Sequence, residues 1–123
     1  MISEDFVDES NFNITASLAD FYIKNQDHTQ FDWFTNKIIT YNGSDLWYFI
    51  KLYGMYLVTA PEDQVVRGIE ELRQIAMSHS QFYNRLSAYQ SLELLADYEG
   101  VPEILLNLKD REEDPRLKEY YQQ

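Results

Sequence analysis

Two histidines, His28 and His79, are the side chains whose ordinary pKa places a charge change near neutral pH, and they stand 51 residues apart. A zinc site needs three or four ligands, and in a chain without cysteine only carboxylates are left to complete one. Thr29 follows His28 and Ser80 follows His79, so neither opens an HExxH helix. Ser78-His79-Ser80 sets two hydroxyls beside an imidazole, the residue types of nucleophilic hydrolysis. Adjacent side chains in a helix connection do not aim at one another, so Ser80 is expected to cap the helix that follows. Asp5, Asp8 and Glu9 lack the alternating oxygen donors and central glycine of a calcium loop, and read as part of a solvated lead. Asp110, Glu112, Glu113 and Asp114 read as a charged turn. With 21 acidic residues in 123, a pair of carboxylates carries no information by itself. No catalytic, cofactor-binding or metal-binding residue is therefore assigned.

The balance of charge narrows the partners. A formal net charge of −11, with no local cluster of Lys and Arg, repels phosphate backbones and anionic membranes. Neither nucleic acid nor membrane is expected. No run of eighteen apolar residues is present, and the acidic start Met1-Ile2-Ser3-Glu4-Asp5 is not a secretory signal. The absence of cysteine leaves the compartment open; a chain complete at Met1 is expected to be cytoplasmic, whereas a fragment of a longer exported protein would read the same.

Apolar residues recur at intervals of three and four, and only four glycines and three prolines interrupt them, which favours helices throughout. After a polar acidic lead over residues 1–12, a single domain over 13–123 is expected. Its first helix covers Ile14 to Lys24 with Ile14, Leu18, Phe21 and Tyr22 inward. A second spans about Gln30 to Thr40 through Phe31, Phe34, Ile38 and Trp33, ended by Asn42-Gly43. Ser44 is the expected cap of a third, residues 45–59, with Leu46, Phe49, Ile50, Tyr53 and Leu57 on one face and Gly54 marking close packing. A fourth begins near Pro61, whose successors Glu62 and Asp63 suit the positive end of the helix dipole, and buries Val65, Val66, Ile69, Leu72, Ile75 and Ala76. A fifth runs from Gln81 to Tyr98 through Phe82, Leu86, Tyr89, Leu92 and Leu95 or Ala96. Gly100 and Pro102 introduce a sixth over 101–109, with Ile104, Leu105 and Leu108 inward. Pro115 begins a seventh that packs Leu117 and Tyr120 or Tyr121, with Lys118 and Glu119 in solvent.

The last four helices form two similar pairs. Ile69, Leu72 and Ala76 map onto Val101, Ile104 and Leu108 at an offset of 32, and Arg85, Leu86 and Tyr89 map onto Arg116, Leu117 and Tyr120 at an offset of 31. The expected fold class is all-α: antiparallel helical hairpins stacked as a short solenoid, each pair burying its apolar face against its neighbours. A non-repetitive helical bundle is the alternative, because amphipathic helices share a period. The pattern resembles HEAT-type repeats, in which an acidic turn precedes an Arg-hydrophobic pair, a small residue and leucine, here Arg85-Leu86, Ala88 and Leu92. The second copy, "LKDREEDPRLKEYY", carries Glu119 at the small position and looks like a terminal cap. A narrower resemblance is to the non-catalytic C-terminal helical domain of M1-family zinc aminopeptidases, spanning residues 13–123 loosely. Gly54-Met55-Tyr56 does not match that family's Gly-x-Met-Glu-Asn segment. If the resemblance holds, the chain is a piece of a metallo-aminopeptidase without its catalytic chemistry.

Aromatic residues are unusually many: ten Tyr, seven Phe and two Trp. Trp33, Trp47, Tyr48, Tyr56, Tyr83 and Tyr121 fall off the main stripes and form the candidate interaction surface, since such residues anchor contacts. Arg85, Asp110, Asp114 and Arg116 are the candidate structural set. Arg85 is expected to bridge to the next acidic turn through Asp110 or Asp114, and its catalytic use is the weaker alternative. The function expected is a non-catalytic interaction or structural module. Its partner is another protein or the remainder of its own polypeptide. The alternative is a small all-α ligand-binding protein or enzyme using Tyr and carboxylates.

Overall fold

The structure is a computed structural model that describes residues 12–41 and 43–122; the expected acidic lead, with Asp5, Asp8 and Glu9, and Asn42 of the second helix's end lie outside the described residues. Among the described residues the chain is all-α, with helices α1 Phe12–Lys24, α2 Phe31–Thr40, α3 Leu46–Val58, α4 Glu62–Ser78, α5 Phe82–Leu94, α6 Val101–Arg111 and α7 Pro115–Tyr121. A 3-10 turn, His28–Gln30, leads into α2.

Local chemistry sets most of the boundaries. Asp27 caps the 3-10 turn by accepting from the Thr29 N–H. Pro61 precedes α4, and Glu62 and Asp63 occupy its first turn. Gly100 enters α6 at φ +89°, a left-handed backbone that costs glycine little. Asp114 caps α7 through the Arg116 N–H, with Pro115 in its first turn. Two expected caps differ. Asp45 rather than Ser44 flanks α3, and Gln81 rather than Ser80 flanks α5, neither making a side-chain capping bond. Before α5 it is His79 Nδ1 that takes the Gln81 N–H, at 3.1 Å. α5 also ends at Leu94 instead of Tyr98, and residues 95–99 follow as turns before Gly100.

The centre of the molecule is α3, which packs against α1, α2, α4 and α5. Phe49, Ile50, Tyr53, Tyr56 and Leu57 are all essentially without solvent contact there. α3 and α5 approach closely because small residues face each other. A Cβ placed on Gly54 would sit 2.5 Å from the Ser91 Cβ. Ser87 Oγ donates to the Trp47 carbonyl at 2.5 Å and Ser91 Oγ to the Ile50 carbonyl at 3.2 Å. These bonds let hydroxyls enter an apolar interface without leaving a donor unmatched. Gly68 plays the same part between α4 and α3, where a Cβ would meet Leu57 Cδ1 at 2.3 Å.

α1 turns a different face inward from the one its periodicity suggests. Thr15 and Ala19 are buried and Tyr22 and Ile23 pack on the core, while Ile14 and Phe21 stand exposed, Phe21 at 58%. Thr15 and Ala19 allow α1 to lie close on its neighbours, and Ile14 and Phe21 are left outward. Val66 on α4 is likewise exposed, where Val65 and Gly68 take the inner positions.

Candidate functional site

Two regions of the helical fold hold the candidate residues. At the C-terminal end, α5 presents Arg85 to the turn between α6 and α7. Arg85 Nε and Nη2 donate to the two oxygens of Glu112, at 3.1 and 3.0 Å, and Nη1 donates to the His79 carbonyl at 2.7 Å. The Glu112 side chain is only 5% exposed, and it accepts also from the Asp114 N–H at 2.9 Å. Arg85 therefore does bond to the acidic turn, but through Glu112. Asp110 makes no bond to it and lies exposed. Asp114 is committed to Arg116, which donates to both its oxygens at 3.0 and 2.7 Å and holds its carboxyl down to about 2. The reason is positional. Glu112 ends α6 on its inner side, whereas Asp114 is spent on capping α7. Arg116 lays its guanidinium over Phe82, 3.6 Å from the ring centroid.

The six aromatic candidates do not form one surface. Tyr56 has no exposure: its ring stacks on Phe34 at 4.2 Å, its hydroxyl donates to the Asp27 carbonyl at 2.9 Å, and burial, aided by Asp27, pushes its pKa up to about 12. Tyr121 is buried against Tyr89 at 3.8 Å, and burial raises its pKa well above the ordinary phenol value. Trp33 is half-buried between Tyr22, Phe34 and Phe49. Tyr48 is half-buried on the core edge-on to Trp47. Only Trp47, at 42%, is openly exposed, and Tyr83 is half-exposed beside Phe82. Tyr56 and Tyr121 are thus corrected from interaction surface to core: Tyr56 satisfies its hydroxyl on a backbone carbonyl, whereas Tyr121 is held by its stack on Tyr89 with its hydroxyl buried and unbonded among the described residues.

The N-terminal end supplies what the sequence assigned to the interior. Ile14, Leu18 and Phe21 line one outer face of α1, and Phe21 continues onto the break between α1 and α2, where Gln26 holds a left-handed φ of 49°. Around that break the Tyr56 hydroxyl, Gln64 Nε2 and Thr59 Oγ1 tie residues 27 and 28 to α3 and α4, Gln64 donating to the His28 carbonyl at 2.8 Å. A period of three or four residues reports that such a stripe exists. It says nothing about which stripe a neighbour covers.

Little here is arranged for bond making. Ser78 Oγ donates to the Gln74 carbonyl at 2.7 Å, and His79 Nδ1 is occupied by the Gln81 N–H, so neither activates the other. Burial first, and the Arg85 charge second, lower the His79 pKa. The Tyr53 hydroxyl donates to Glu71 at 2.5 Å inside the core. Among the described residues no three His, Asp or Glu side chains converge as metal ligands. No described helix is long and apolar enough to cross a membrane. Compared with protein families, with curated proteins and with solved structures, the chain gives no match in any of the three.

Proposed function

We propose that the chain is a non-catalytic helical-repeat module that docks through the outer face of α1 onto a protein partner or onto the remainder of its own polypeptide. The observation that carries this reading is the contrast between the ends. α1 leaves Phe21 and Ile14 in solvent beside Leu18. The last helix turns Lys118 and Glu119 outward and keeps Leu117 and Tyr121 inside. Contiguous exposed apolar residues on an otherwise charged chain are a contact surface in waiting. The finer architecture belongs to the same proposal: a short HEAT-like solenoid of hairpins α4–α5 and α6–α7 following α1–α3. Packing of α5 on both α3 and α4, and of α4 on α6, supports that stacking. A C-terminal domain of the M1 aminopeptidase type is one form of the second kind of partner.

The test is native purification of the tagged full chain beside its Phe21→Asp variant. The variant loses the stoichiometric companion that the wild-type chain carries, while its helical circular dichroism is unchanged. A companion retained by Phe21→Asp, or hydrolysis of aminoacyl or ester substrates by the purified chain, contradicts the reading.

A further inference from the structure

The outer face of α1 has two halves of different chemistry, and Phe21 joins them. The first half is apolar: Ile14, Leu18 and Phe21 stand at i, i+4 and i+7, beside Asn13 and Ser17. That is the seam spacing on which a second helix packs. The second half is an open hollow that Phe21 shares with Asn25, Asp27, Pro61 and Gln64.

Negative charge gathers around this second half. It is built on the C-terminus of α1, the negative end of that helix's dipole. Gln26 turns the chain there, its N–H donating to the Ile23 carbonyl and the Asp27 N–H to the Tyr22 carbonyl, so the end is fixed by its own backbone. The Asp27 carboxylate, held by the Thr29 N–H and hydroxyl, stands in the wall of the hollow. Glu62 and Asp63 follow Pro61 and are exposed in the first turn of α4. The basic side chains nearby are engaged: Lys24 is paired with Asp20 at 2.8 Å, and the His28 ring meets the Thr59 hydroxyl at 3.2 Å. The local balance therefore has the sign of the whole chain, whose net charge is −11.

We propose, resting on the docking role of α1 given above, that the occupant of this face is an amphipathic helix with Lys or Arg beside its apolar stripe. The stripe lies along Ile14, Leu18 and Phe21, and the cations sit over Asp27, Glu62 and Asp63. An acidic helix would set like charges against that rim, which selects against it. Net charge and rim act in the same direction, drawing a cationic segment toward the chain before it docks.

The experiment is a titration of the 15N-labelled full chain, followed by nuclear magnetic resonance, with three two-heptad peptides. One is made of Leu and Lys, one carries Glu at every Lys position, and one carries Ser at every Leu position. The Leu–Lys peptide is expected to shift the amides of residues 13–28 with a Kd of about 100 μM or tighter, and to bind at least about tenfold tighter than either of the others. Phe21→Gln, at a position 58% exposed, removes the anchor, and Glu62→Gln combined with Asp63→Asn removes part of the rim; each weakens the Leu–Lys peptide, the first by about tenfold or more. Leu–Glu binding at residues 13–28 as tightly as Leu–Lys overturns the basic occupant and leaves the docking face standing. Retention of the native companion by Phe21→Asp overturns the docking face itself. The inference also fails if no peptide shifts residues 13–28 up to about 1 mM, if the Ser–Lys peptide binds equally well, or if the Glu62→Gln and Asp63→Asn pair leaves the affinity unchanged.

Discussion

The first and last described helices, α1 and α7, treat their outward sides in opposite ways. At the C-terminal end that side is polar: Leu117 and Tyr121 go inward, Tyr121 stacks on Tyr89, and Arg85 locks the turn before α7 by a two-pronged ion pair to Glu112. At the N-terminal end α1 buries its small residues, Thr15 and Ala19, and leaves Ile14 and Phe21 outside. α7 closes its own outward side with charge, whereas α1 leaves Ile14 and Phe21 exposed, as Leu94 and Leu106 also are. Stability should therefore reside at the C-terminal end, and association at α1.

The largest effect comes from breaking the Arg85–Glu112 lock. Arg85→Ala removes the partner of a buried carboxylate, and an unpaired buried charge costs about 3–5 kcal/mol. Chemical denaturation should show a loss of that order, whereas a loss below about 1 kcal/mol would mean that Glu112 finds water or another cation. Tyr121→Leu keeps apolar bulk but removes the stack on Tyr89, for a loss of about 0.5–1.5 kcal/mol in the same assay.

A pH dependence should follow from His79 at the same end. Its folded pKa is lowered, by burial before the Arg85 charge, so the unfolded chain takes up the proton first as pH falls. Its stability contribution is full above the ordinary histidine range and is lost as pH drops through that range toward the depressed folded value. The difference between wild type and His79→Gln, measured by denaturation at several pH values, isolates this slope from the carboxylates. A difference that does not vary with pH would contradict it. The smallest effect belongs to α1: Phe21→Asp should change folding stability by no more than about 0.5 kcal/mol, as expected of an exposed side chain.

Much of this organisation could be read from the residues. Glycine and proline punctuate the chain at Pro61, Gly100, Pro102 and Pro115, and the helices begin there within a residue or two. The core of α3 was legible because Leu46, Phe49, Ile50, Tyr53 and Leu57 form one dense stripe with few polar competitors. In α1 only Tyr22 of the expected inward set packs on the core, because Ile14, Leu18 and Phe21 share a period with Thr15 and Ala19, and the winner is chosen by how closely a neighbouring helix can approach. Ser87 and Ser91 gave no sign of burial, since their acceptors are α3 carbonyls some forty residues away. The site residues were legible by type more than by place. An arginine seeking the next acidic turn follows from spacing, but the choice of Glu112 over Asp110 or Asp114 depends on which residue ends α6 and which caps α7. The outward burden of the aromatics was overestimated for the same reason, as Tyr56 and Tyr121 find their partners in segments distant in sequence.

The contrast between the ends is tested most directly by placing a photo-crosslinking residue in the full-length protein in its native cells, at position 21 in one strain and at position 119 in another. Crosslinking from position 21 to one defined protein, or to a segment of the same polypeptide outside these 123 residues, with none from position 119, is the result the account predicts. Crosslinks that arise from position 119, or none at position 21, would contradict it.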